Sequence, residues 1–168
     1  MFFFLHTMDK IWLNHYPAGM PHDIEPSRYR SLVQLLEEAM TEHADRVAFR
    51  CMGASLTYAE LDRLSSKVAG WLQLQGLKPG ARVAVMMPNI LQYPVVVAGI
   101  LRAGCVVVNV NPMYTPRELE HQLRDSGAEA IFILENFATT LQSVQARGPL
   151  KHVVVAAMGD LMGWRSEE

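Results

Sequence analysis

Apolar residues first recur at helical spacing at Leu32, Leu35, Leu36 and Ala39, with Glu37, Glu38 and Glu42 off that stripe. A helix opening at Ser31 is predicted. Upstream, residues 9–30 show no periodicity and contain Pro17, Pro21 and Pro26, which predicts an extended surface arm. Val47 to Cys51 alternates in strand-forming residues, Met52-Gly53-Ala54 reads as a turn, and Ser55-Leu56-Thr57 returns, so a short hairpin is expected. Thr57 then opens a second helix, because its hydroxyl can cap the free amides and Glu60 stands three residues on to complete a capping box. The buried stripe of that helix is Leu61, Leu64, Val68, Trp71 and Leu72. Gly76 ends it and Lys78-Pro79-Gly80 turns the chain.

From Arg82 onward strands and helices alternate. Arg82 to Met87 is a short apolar strand, broken by Pro88-Asn89. Leu91 to Ala103 reads as a helix that tolerates Pro94 in its first turn. Cys105 to Val110 is a continuous β-branched run, the pattern of a strand buried on both faces. Thr115-Pro116-Arg117-Glu118 is a second capping box with proline at the first helical position, and Gly127 closes that helix. Ala130 to Leu134 is a strand, Phe137 to about Ala146 a helix, and His152 to Ala156 the last strand. Alternation of this kind predicts an α/β fold: a doubly wound, mostly parallel sheet with helices on both faces, preceded by the short N-terminal hairpin. The organisation expected is an arm over residues 1–30, an α/β subdomain over 31–157 and a tail over 158–168 without periodic signal.

Composition narrows the class without naming it. The chain has 168 residues, 50% hydrophobic and 19% charged, with a net charge of −2. One domain is expected, with no global attraction to nucleic acid or anionic membrane. Cys51 and Cys105 lie far apart in apolar runs, which points to two reduced structural thiols and a cytoplasmic compartment. Met1-Phe2-Phe3-Phe4-Leu5 is too short and lacks the flanks of a signal peptide; Met8 is an alternative start. Tyr93 to Val110 approaches membrane-spanning length, but Pro94, Arg102, Gly99 and Gly104 interrupt it, and it is read as a buried helix running into a strand.

Ligands bind at strand ends in such a sheet. No Gly-x-Gly-x-x-Gly follows a strand, no Walker loop is present, and no Gly-x-Ser-x-Gly elbow occurs. The strand ends, Met87-Pro88-Asn89 and Asn109-Val110-Asn111-Pro112, are neutral, and no two histidines have metal-binding spacing on one helix. His121 reads as a solvated helix-face residue. No catalytic, cofactor-binding or metal-ligating residue is assigned. The residues themselves leave open a stand-alone binding or interaction module, or part of a larger protein.

Several segments, in order, resemble bacterial long-chain fatty acyl-CoA synthetases of the adenylate-forming, AMP-binding superfamily. Ile11-Trp12-Leu13-Asn14-His15-Tyr16-Pro17 is similar to that family's opening arm, and Leu56-Thr57-Tyr58-Ala59-Glu60-Leu61 to its first core motif. Met86-Met87-Pro88-Asn89-Ile90-Leu91-Gln92-Tyr93-Pro94 resembles the long-chain subgroup. Gly99-Ile100-Leu101-Arg102-Ala103-Gly104, Val107 to Pro112 and Met113 to Leu123 resemble the second core motif and its extension. The likeness runs from about Met8 to Asp160.

The resemblance implies a partial, N-terminal subdomain of the acyl-CoA synthetase-like fold. It implies a ligase that makes acyl-CoA, AMP and diphosphate from ATP, a fatty acid and CoA through an acyl-adenylate. ATP, magnesium and CoA are thereby implied for the complete enzyme and none for this segment. The family's phosphate loop, ribose-binding aspartate and catalytic lysine have no counterpart here and are expected beyond residue 168, so the chain alone is expected to be inactive. Asn109, Asn111, Pro112 and Tyr114 are candidates for scaffold or for the lining of a substrate channel. The remainder of the ligase is the expected partner, self-association is expected of an isolated segment, and nucleic acid is not. The complete enzyme is expected in the cytoplasm, peripheral at the inner membrane.

Overall fold

The computed structural model describes residues 9–144 and 148–162. Met1 to Met8, the predicted helix end at Ala146 and the tail from Gly163 lie outside these. The chain divides into two compact units, Met1–Arg30 and Ser31–Glu168. In the first, the stretch read as extended winds into one 3-10 turn at Ile11–His15, and none of the turn's residues is buried.

The second unit opens with α1, Leu32–Glu42, whose first amides are met by the Ser31 hydroxyl, an acceptor for Gln34 N–H at 3.1 Å. The hairpin follows as antiparallel β1, Val47–Cys51, and β2, Ala54–Thr57. Met52 and Gly53 both take positive φ, 49° and 85°, which lets a two-residue turn match the strand twist. Helix α2, Tyr58–Leu74, begins at the expected box: Glu60 N–H donates to Thr57 Oγ1, and Glu60 Oε2 accepts from Thr57 N–H at 2.8 Å.

Four parallel strands carry the fold: β3, Arg82–Met86; β4, Val106–Asn109; β5, Ala130–Leu134; and β6, His152–Ala156. They lie in the order β4-β3-β5-β6. Helices α3, Gln92–Arg102, α4, Pro116–Ser126, and α5, Ala138–Gln142, connect them. Alternation within the strands builds two cores. Val83, Val85, Ala130 and Phe132 face α2 and α3, where Leu72, Val96 and Ile100 fill the layer. Ala84, Met86, Ile131 and Ile133 face α4 and α5, against Leu119, Leu123 and Leu141. The sheet is therefore doubly wound, as the alternation predicted. A third cluster joins Met40, Leu56, Leu61, Leu91 and Val95 and seats α1 and the hairpin on α2 and α3.

Two expectations give way. The β-branched run at Cys105 to Val110 does not form a strand buried on both faces: β4 is the outer strand, and Val106 remains 47% exposed. The fully buried strand is β5. The helix expected from Phe137 instead begins with a 3-10 turn at Glu135–Phe137, because Phe137 turns into both cores, and regular helix spans only Ala138–Gln142.

Candidate functional site

The connection from β3 to β4 runs one way along the sheet, and that from β4 to β5 returns across β3. The strand order thus reverses between β3 and β5, the point where a crevice opens at strand C-termini in α/β sheets. Such a crevice, about 430 Å³, is present. Pro88 and Asn89 supply its wall beyond β3, Asn109 and Pro112 its wall beyond β4, and Phe137 closes it beyond β5. Tyr93 enters from the first turn of α3, where Pro94 is accommodated because those amides need no intrahelical partner.

The polar groups here are held in place. Tyr93 Oη donates to Asn109 Oδ1 at 2.8 Å. The Asn109 carbonyl accepts from Gln122 Nε2 of α4 at 2.8 Å. Asn111 Oδ1 accepts from Met113 N–H at 3.0 Å, and Asn111 O from Tyr114 N–H at 3.1 Å, so Asn111 shapes the turn into α4. Thr115 starts that helix with the second capping box: Glu118 Oε2 accepts from Thr115 N–H at 2.8 Å, and the bonds from Thr115 hold the Glu118 carboxyl below the ordinary carboxylate range. Of the four residues singled out in the sequence, Asn109 and Pro112 line the crevice. Asn111 and Tyr114 do not, and the Tyr114 ring packs on the core beneath α4.

Tyr93 is a polar lining residue the sequence did not single out, since its partner lies 16 positions on. Gln92 was also missed. It is buried, and its Nε2 donates to Ala157 O at 2.8 Å, tying α3 to the chain leaving β6. Cys51 and Cys105 are both free thiols, and burial raises the Cys105 pKa. His121 is exposed on α4.

Tyr93 carries the one ionisable side chain lining the crevice, a phenol. The lining supplies amide and phenol dipoles and apolar surface, but no lysine, arginine or carboxylate. It can orient an uncharged group and exclude water. It cannot neutralise a polyphosphate or ligate magnesium, which need cationic and carboxylate partners. An ATP–magnesium group therefore does not fit this donor set. Among the described residues, no group of three His, Cys, Asp or Glu converges as metal ligands.

The described residues form an open, doubly wound α/β layer with a neutral crevice at its switch point. The chain belongs to the AMP-binding enzyme family, whose description matches residues 36–167. A long-chain-fatty-acid–CoA ligase of Salmonella typhimurium is 57% identical over 154 residues, covering 91% of this chain and 28% of that protein. The counterpart in Escherichia coli O6:H1 is 55% identical over the same coverage. The chain thus spans only 28% of the length of these curated relatives. A solved long-chain-fatty-acid-CoA ligase from Archaeoglobus fulgidus shares the fold, with a TM-score of 0.72 at 24% identity over 91% of this chain and 33% of that one. Among the described residues, no helix is long and apolar enough to cross a membrane, so Tyr93 to Val110 is α3 running into β4.

Proposed function

We propose that the chain is the N-terminal segment of a long-chain fatty acid–CoA ligase and contributes scaffold, not chemistry, to that reaction. The complete ligase activates a fatty carboxylate with ATP, releasing diphosphate, and CoA then displaces AMP from the acyl-adenylate. A carboxylate is a poor acyl donor until a good leaving group is attached, which is why the nucleotide is needed.

One observation carries the reading: a crevice without a single cation or carboxylate in a chain 57% identical to a long-chain-fatty-acid–CoA ligase. In this reading ATP, magnesium and CoA are bound by parts of the ligase outside this chain. Asn109 and Pro112 form one wall of the substrate path, while Asn111 and Tyr114 hold the turn that positions it. The segment's partners are the remainder of the ligase and, through it, the fatty acid. In isolation it self-associates. The complete enzyme works in the cytoplasm, at the inner face of the membrane from which its substrate arrives. A stand-alone binding module is the weaker reading, because the likeness to ligases extends over 91% of the chain.

The test is ATP–diphosphate exchange by the purified chain with oleate and magnesium. No exchange above buffer is expected; fatty-acid-dependent exchange would show that the chain carries an adenylating site of its own.

A further inference from the structure

Between Gln92 and Arg102, helix α3 carries no charged residue on any face. A helix apolar all round is ordinarily covered all round. Two of its faces are. Val96 and Ile100 pack in the layer beneath the sheet, and Val95 and Ala98 pack in the cluster with α1, α2 and the hairpin. The third face is a stripe at a spacing of four, Tyr93, Val97 and Leu101, with Pro94 beside it, and these stay only half-buried.

That stripe forms one wall of a groove of about 500 Å³ where α3, α1 and the hairpin meet. The volume lies within the range of roughly 300–1,000 Å³ usual for small-molecule pockets. Leu32 of α1 and Phe49 of β1 also line it, and they stand 57% and 42% exposed. Large apolar side chains exposed singly are ordinary, but two that flank one apolar groove mark a binding surface.

The charge of the groove selects among apolar ligands. Arg50 is its one charged lining residue and is exposed to solvent, and no carboxylate lines the groove. Among the described residues the Arg50 guanidinium pairs with no acid. An aliphatic wall with one free cation complements an apolar tail that ends in an anion. It disfavours a cationic amphiphile, whose head would meet Arg50.

We propose that this groove binds one free fatty carboxylate, its tail along Val97 and Leu101 and its head at Arg50. The inference goes beyond the ligase reading, which gives this segment a wall of the substrate path and no binding site of its own. The groove adjoins the strand-end crevice, since Asn89 and Tyr93 line both.

Cys51 lines the groove half-buried, whereas Cys105 is buried and its thiol pKa is raised by that burial, so alkylation of the native chain reports on Cys51. Calorimetric titration of the 168-residue chain with saturated carboxylates, each kept below its micelle concentration, is the test. Laurate is expected to bind at one saturable site and to slow alkylation of Cys51 by N-ethylmaleimide. From octanoate to laurate the affinity should rise about fourfold per methylene. Arg50→Gln should weaken laurate about threefold, as for a solvent-exposed ion pair, and leave dodecanol unchanged. Val97→Glu should abolish both binding and protection. Leu32→Glu, at an exposed side chain, should weaken laurate at least tenfold and serves if the Val97 variant fails to fold. Leu74→Glu, on α2 and outside the groove, should change nothing. Four results would overturn the proposal: no saturable binding of laurate, binding unmoved by Leu32→Glu, dodecyltrimethylammonium bound as tightly as laurate, or Cys51 protection that follows protein concentration alone, which would place a second copy in the groove. Each leaves the ligase-segment reading standing, because the ATP–diphosphate exchange assay tests that separately.

Discussion

Gly99 of α3 lies so close to α2 that a Cβ built on it would stand 2.5 Å from Val68 Cβ and 2.9 Å from the Ser65 carbonyl oxygen. The two helices cross through the absence of a side chain. Gly99→Ala is expected to destabilise the chain by about 1–3 kcal/mol, overpacking outweighing the gain in helix propensity. Gly70, also inside α2, has nothing within 4 Å of its Cβ position. Gly70→Ala should stabilise by up to about 1 kcal/mol. Urea titration of both variants checks the opposite signs.

Arg102, at the end of α3, ties together the helices it meets. Its Nη2 reaches Asp62 Oδ1 at 2.5 Å, its Nη1 reaches Ser65 Oγ at 2.9 Å and Ser66 Oγ at 2.9 Å, and its Nε reaches Glu37 of α1 at 3.3 Å. Its side chain is only 15% exposed. Arg102→Met should cost about 2 kcal/mol, the scale of charged hydrogen bonds held out of water. Arg102→Lys should recover little of it, because an ammonium cannot span the fork. A double-mutant cycle with Asp62→Asn measures the coupling.

The capping boxes make stability depend on acid. Backbone and side-chain bonds from Thr57 lower the Glu60 pKa, and the matching bonds from Thr115 lower that of Glu118, both below the ordinary 4.5. A depressed folded-state pKa means the unfolded chain binds the proton more readily. The stabilisation is therefore complete above pH 4.5 and is lost as pH falls through the lower, folded values. Glu60→Gln and Glu118→Gln should each lower stability at pH 7 and change it little at pH 3, flattening the loss below about pH 4.5; thermal unfolding from pH 3 to 7 reads this out.

What the sequence revealed was local. Thr57 with Glu60 and Thr115 with Glu118 mark helix starts because a cap and its partner lie three residues apart, and the structure places both helices there. Met52-Gly53 likewise announced its hairpin. The lateral position of a strand was not legible. Cys105 to Val110 is as β-branched as a central strand, yet β4 lies at the edge, because order in the sheet is decided by how α3 and α4 cross it. At the crevice, Asn109 and Pro112 were legible as strand-end residues. The Tyr93 bond to Asn109, the Gln122 bond to its carbonyl and the Gln92 bond to Ala157 were not, since each joins side chains to groups that only the folded chain brings together.

Magnesium-ATP titrated into the 168-residue chain in a calorimeter is the most direct measurement. Heats no larger than those of dilution are expected, since the strand-end crevice offers a triphosphate neither cation nor carboxylate-held metal. A saturable isotherm that vanishes on adding EDTA would contradict the account.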